Sequence, residues 1–121
     1  MKILVCDDDP AVISVVRFKL SRENLGEIFT AADGREALTT LKNTEFDLIL
    51  TDINMPYHSG LEVITFVRQT LKLNTPILIF SSEGLEDTVL HAFELGADDF
   101  VAKPFSLPEL MLRVKRLTRK L

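Results

Sequence analysis

A chain of 121 residues, 46% of them hydrophobic, is the size of one compact domain with a single core, and a second domain would not fit. Eighteen acidic against 14 basic residues give a net charge of −4, which argues against nucleic acid as the main ligand, because phosphate contacts need a basic surface. The single cysteine excludes an internal disulfide and a thiolate metal cluster.

In chain order, short apolar runs alternate with segments of helical periodicity. The first run, Ile3 to Cys6, ends abruptly in Asp7, Asp8 and Asp9. Asp9 followed by Pro10 is a good helix start, with an acidic N-cap and a proline at the first helical position. That explanation does not extend to Asp7 and Asp8. Only four apolar residues separate Lys2 from these aspartates, so nothing resembles a signal peptide. No apolar run approaches the roughly 20 residues of a membrane helix, and a soluble protein is expected. Cys6 reads as a small core residue.

The spacing predicts helices over Pro10 to Glu23, Arg35 to Lys42, Leu61 to Leu71, Glu86 to Leu95 and Leu107 to Leu121. In the first, Val12, Val15, Val16 and Leu20 share one face; in the last, Leu110, Val114, Leu117 and Leu121 do. The later apolar runs are Ile28 to Ala32, Leu48 to Thr51, Pro76 to Phe80 and Phe100 to Ala102. All five runs are short and continuously apolar rather than alternating, as expected of strands covered on both faces. Five strand-helix units without repeats or low-complexity linkers predict a mostly parallel, doubly wound sheet with helices on both faces.

In such a sheet, ligands bind outside the carboxyl ends of the strands. Those ends carry Asp7 and Asp8, then Asp52, then Ser81 and Ser82, then Lys103. Carboxylates brought together repel one another unless they share a proton or a cation. A hard divalent ion with oxygen ligands fits, and Mg²⁺ prefers few carboxylates, retained waters and a phosphate oxygen. There is no Gly-rich phosphate loop or Walker-type lysine, so a lone lysine and a hydroxyl suggest a small phosphoryl group on one carboxylate. Each residue also has a plainer reading. The acidic pair could be caps, Asp52 a turn residue, and Lys103 a surface lysine; their coincidence at four strand ends is what favours the site.

The motifs ILVCDDDP, LILTDINMP, ILIFSSEG and GADDFVAKPF, in that order and spacing, resemble the CheY-like receiver domain of two-component response regulators over essentially the whole chain, residues 1–121. The resemblance implies a flavodoxin-like sheet of order 2-1-3-4-5 and a cytoplasmic phosphoacceptor rather than an enzyme, one that assists its own phosphorylation and dephosphorylation. By position, Asp52 would accept a phosphoryl group from a histidine kinase or histidine phosphotransfer protein. Asp8 would ligate Mg²⁺, or Mn²⁺, directly, Asp7 mainly through water, and Asn54 through its backbone carbonyl. Lys103, before a typically cis proline bond, would bind phosphoryl oxygens. Ser81 would be the switch hydroxyl and Phe100 the switch aromatic, and Asn54 and Glu83 would tune dephosphorylation. Ser59 stands where the family often has aspartate.

The last helical segment is similar to that of winged-helix transcription regulators of the OmpR/PhoB type, which dimerise through the face of the fourth helix, fifth strand and fifth helix. That likeness implies pairs between copies, Asp99 with Arg113 and Glu94 with Lys115, while Val89 replaces the basic residue expected opposite Glu109. DNA would be reached only through an effector domain outside this chain. Other readings remain open: a stand-alone receiver acting by protein–protein interaction, a small Mg²⁺-dependent phosphoryl-transfer enzyme, and a receiver-like binding module without phosphorylation chemistry. The enzyme would need a substrate cap and an acid/base aspartate just after the nucleophile, where Ile53 and Asn54 stand. Elsewhere, His58 and His91 are isolated and read as surface residues. Phe18 and Ile13 could dock a kinase helix bundle. The basic group Arg113, Lys115, Arg116, Arg119 and Lys120 most simply complements the dipole of its helix.

Overall fold

The computed structural model describes residues 1–82 and 86–119. Five parallel strands, β1 (Lys2–Cys6), β2 (Glu27–Ala31), β3 (Leu48–Asp52), β4 (Ile77–Ser82) and β5 (Asp99–Lys103), form one sheet in the order β2-β1-β3-β4-β5. Between and after them run α1 (Pro10–Arg22), α2 (Gly34–Asn43), α3 (Gly60–Thr65), α4 (Glu86–Leu95) and α5 (Leu107–Thr118).

The alternation of side chains along each strand sorts the core into two layers. Leu4, Cys6, Ile49, Ile77 and Ile79 point to one face, where they meet Ala37, Leu41, Val63, Val67, Val89 and Ala92 of α2, α3, its extension and α4. Ile3, Val5, Leu48, Leu50, Leu78 and Phe80 point to the other, against Val16 and Leu20 of α1 and Leu110, Met111 and Val114 of α5. Covering both faces is what makes β1, β3 and β4 predominantly apolar and buried almost throughout. The edge strands differ from the sequence expectation: most of β2 and β5 is only half-buried, because each lies against one neighbouring strand.

Helix starts follow local chemistry. Asp9 caps α1 by accepting from Ala11 N–H at 2.9 Å, with Pro10 in the first turn. Asp33, Ser59 and Ser106 cap α2, α3 and α5, and Ser59 forms a reciprocal capping box with Glu62. A small residue is required at Gly60: a Cβ there would sit 2.2 Å from the Asp52 carbonyl oxygen, so glycine lets α3 start directly against the end of β3.

Two helical expectations are corrected. Val15 is exposed, and the buried stripe of α1 is Val16 and Leu20. The third helix leaves α geometry after Thr65 and continues as a π-helical turn, Phe66–Thr70, with Leu71 N–H donating to the Phe66 carbonyl. Val89 faces the core. Lys120 and Leu121 lie outside the described residues. No helix among the described residues is long and apolar enough to cross a membrane.

Candidate functional site

Parallel register brings the strand ends to one rim: Cys6 pairs with Thr51, Asp52 with Phe80, and Ser82 with Lys103. The three successive aspartates after β1 divide into three environments. Asp7 is buried; one oxygen accepts from Asp9 N–H at 2.9 Å and the other from Lys103 Nζ at 2.7 Å. Asp8 is exposed at the rim, and Asp9 is the helix cap.

Asp52 ends β3, where the strand turns toward α3. It is buried, accepts from Ile53 N–H at 2.8 Å, and lies 3.3 Å from Lys103 Nζ. Ligand-capable oxygens of Asp7, Asp8 and Asp52 all fall within 4.8 Å of one another. Burial pushes the Asp52 pKa up, the charge of Asp7 pushes it further, and Lys103 with the Ile53 N–H only partly opposes them. For Lys103, burial pulls downward, but the hydrogen bond to Asp7 and the charges of Asp52 and Asp7 together raise its pKa.

One lysine does not neutralise three carboxylates. The remaining negative charge and the all-oxygen donor set fit a hard divalent cation. A cleft of about 220 Å³ opens beside Asp7 and Asp8, bordered by Ile13, Ser14, Thr30 and Glu36. Glu36 adds a further carboxylate to this border; in the sequence it reads only as a first-turn acid of α2. Thr51, buried beside the site with its hydroxyl donating to the Asp52 carbonyl at 2.9 Å, is likewise hidden in an apolar run.

The other predicted residues take up distinct positions. Ser81 is buried on β4, and its hydroxyl donates to the Ser82 carbonyl at 3.1 Å. Phe100 on β5 is half-buried and meets Phe93 of α4 edge to face, centroids 6.1 Å apart. Asn54 is exposed in the loop after Asp52, and Glu83 lies outside the described residues. The Lys103–Pro104 bond is cis. Arg113 pairs with Asp99 within the chain at 3.0 Å, and Lys115 with Glu23 at 2.8 Å, while Glu94 is exposed. His58 pairs with Glu62 at the surface, and His91 is exposed. Cys6 is a core residue whose thiol pKa burial pushes up to about 12.

A second cleft, about 470 Å³ and mainly apolar, runs between α1 and the β5–α5 connection, lined by Ala11, Val12, Val15, Pro104, Phe105 and Leu107 with Lys103 at its end. Phe18 is exposed on α1, and Ile13 is half-buried against the core.

Comparison with known proteins gives a consistent result. The family model of the response regulator receiver domain matches residues 3–115. The transcriptional regulatory protein ResD of Bacillus subtilis is 41% identical over 119 residues, 98% of this chain and 48% of ResD. The cell cycle transcriptional regulator CtrA of Caulobacter vibrioides is 35% identical over 120 residues, 99% of this chain and 51% of CtrA. The chain thus spans about half the length of the curated relatives it matches. Among solved structures, a Francisella response regulator receiver domain aligns with a TM-score of 0.87 at 33% identity, covering 98% of this chain and 97% of that one. The chemotaxis response regulator CheY4 of Vibrio cholerae aligns at 0.87 and 33%, covering 96% and 97%.

Proposed function

Because the chain belongs to the response regulator receiver domain family, a family of phosphoacceptor signalling domains of two-component systems, we propose that Asp52 is its phosphoacceptor and that Asp8, Asp7, Asp52 and the Asn54 carbonyl hold Mg²⁺. The observation that carries this reading is the convergence of three carboxylates within 4.8 Å, with Lys103 Nζ placed between Asp7 and Asp52 at 2.7 and 3.3 Å.

The donor is a phosphohistidine of a sensor kinase or a phosphotransfer protein. An Asp52 carboxylate oxygen attacks phosphorus as the P–N bond breaks; the imidazole leaves with the electron pair and takes up a proton, and Asp52 becomes an acyl phosphate. When bound, the divalent ion supplies charge neutralisation for the phosphoryl oxygens. Ile53 N–H orients the nucleophile, and burial keeps it poorly solvated and therefore reactive. The Lys103 ammonium, already shared by two carboxylates, moves to the added phosphoryl group, whose charge exceeds that of the oxygen it leaves.

Readout follows from the same neighbourhood. Ser81 holds only a local bond to the next residue's carbonyl, so its hydroxyl can turn to the phosphoryl group. Phe100 then exchanges its half-buried place against Phe93 for the vacated space, remodelling the α4-β5-α5 face that controls an effector. The mainly apolar α1 cleft, with Phe18 exposed on the same helix, suits docking of the kinase's helices. The effector is a transcription-regulating domain of the kind carried by ResD-like relatives.

The test is incubation with acetyl phosphate, with and without Mg²⁺, followed by intact mass for wild type and Asp52→Asn. Gain of one phosphoryl group is expected only with Mg²⁺ and Asp52 both present. No modification of wild type under conditions that label another receiver domain would overturn the assignment.

A further inference from the structure

The loop that joins β3 to α3 is strained at one residue. Tyr57 has φ +71°, a conformation that a bulky side chain rarely adopts. It is the central residue of a three-residue turn closed by His58 N–H donating to the Pro56 carbonyl at 2.9 Å; with a positive central φ, this is the rare, strained hand of that turn.

The same turn is gripped from α2. Gly34 N–H donates to the Pro56 carbonyl at 3.1 Å, and a Cβ on Gly34 would sit 2.0 Å from the His58 carbonyl oxygen, so the two backbones are in direct contact. Next to Gly34, the Arg35 guanidinium stacks over the Tyr57 ring at 4.1 Å from its centroid. Both side chains are otherwise exposed. The stack is a contact that Tyr57 receives in return for its backbone strain. An exposed cation–π pair offsets part of such strain and adds to the backbone contacts from Gly34 that hold the turn.

Two residues before the turn's first member lies Asn54, whose carbonyl is assigned above to the cation. We propose that the Arg35–Tyr57 stack is a latch between α2 and the β3–α3 loop, holding that loop in the strained form that presents Asn54 to the metal site and thereby setting divalent-cation affinity. The latch rests on the metal assignment. Strain released by an open latch lets the loop leave the competent form, and apparent affinity falls with the competent fraction.

Calorimetric titration of the unphosphorylated full chain with MgCl₂ tests this, on wild type, Arg35→Ala, Arg35→Ala with Tyr57→Gly, and Asp8→Asn. Arg35→Ala is expected to weaken Mg²⁺ binding about two- to fivefold, the stacking contribution of an exposed pair. Loss of a positive charge by itself would act in the opposite direction, tightening cation binding. Adding Tyr57→Gly removes the strain, since glycine accepts positive φ freely, and is expected to restore wild-type affinity. Wild-type affinity in Arg35→Ala, or a loss that Tyr57→Gly leaves in place, overturns the latch while the metal site stands, provided that Asp8→Asn loses binding. No Mg²⁺ binding by wild type, or unchanged binding in Asp8→Asn, overturns the metal assignment and the latch with it.

Discussion

Asp52 is held under opposed demands. The proposed role as nucleophile requires it ionised, yet burial and the charge of Asp7 both raise its pKa, with Lys103 only partly compensating. A raised folded-state value means that the folded chain holds this proton more tightly than the unfolded chain does. Its contribution to stability is therefore fully present below the ordinary aspartate value of 3.8 and is lost as pH rises through the raised folded value. At neutral pH the ionised carboxylate destabilises the cation-free domain. Asp52→Asn keeps an oxygen for Ile53 N–H and removes the charge, so without divalent cation it is expected to melt above wild type at pH 7. The gain should shrink toward zero below pH 3.8. Saturating Mg²⁺ should reverse the order, because it stabilises the chain that binds it. Thermal melts across pH, with and without Mg²⁺, decide the matter; a pH-independent gain would sink the account. The positions of Asp7, Asp8, Asp52 and Lys103 are legible in the sequence because each follows an apolar run that ends abruptly. Glu36 and Tyr57 are not, since their roles arise where α2 meets the strand ends, a contact that no local pattern encodes.

At the scale of elements, the turn that departs from α geometry has a purpose visible in its hydrogen bonds. In the π-helical turn Phe66–Thr70, Arg68 Nε and Nη2 donate to the Gly96 carbonyl at 3.1 and 2.9 Å, and Nη1 donates to the Leu73 carbonyl at 2.8 Å. Nη2 also reaches Asp98 at 3.0 Å, whose same oxygen accepts from Ile77 N–H. One guanidinium thus ties the end of α4 and the start of β4 together, far from the Asp52 end of the sheet. Arg68→Ala leaves these carbonyls without their donor and is expected to lower stability by about 2–3 kcal/mol in urea unfolding. Arg68→Lys should recover little, because a single ammonium cannot span the same acceptors; full recovery by lysine would show that charge, not the fork of donors, matters. The sequence predicts one continuous third helix because its apolar spacing cannot report a widened turn whose cause lies on Gly96 and Leu73. Strands were legible from continuous apolarity, but the same signal could not distinguish the central strands from half-buried β2 and β5. Val15 fails for a related reason: periodicity assigns a face, while the cleft beside Pro104 and Phe105 leaves part of that face open.

For the whole molecule, the α4-β5-α5 face bears on assembly. The likeness to winged-helix regulators assigns Asp99 and Arg113 to a pair between copies, yet in the single chain they already pair at 3.0 Å, with the Arg113 Nε–H left without an acceptor among the described residues. Formation of a dimer through this face therefore exchanges one ion pair for another rather than adding one, and the net gain from these charges is small. On the proposed switch, phosphorylation supplies a change of shape, through Phe100 and its neighbour Phe93, that disengages the internal pair. A mixing experiment separates the two arrangements. Asp99→Arg and Arg113→Asp each place like charges together within one chain and within any homodimer of that chain. If phosphorylated copies pair across the face, the two variants mixed one to one form heterodimers that neither forms alone. If the pair serves only within the chain, mixing changes nothing, whereas the double variant Asp99→Arg with Arg113→Asp regains wild-type stability. Sedimentation velocity after acetyl phosphate treatment reads the first outcome, and urea unfolding of the untreated variants reads the second.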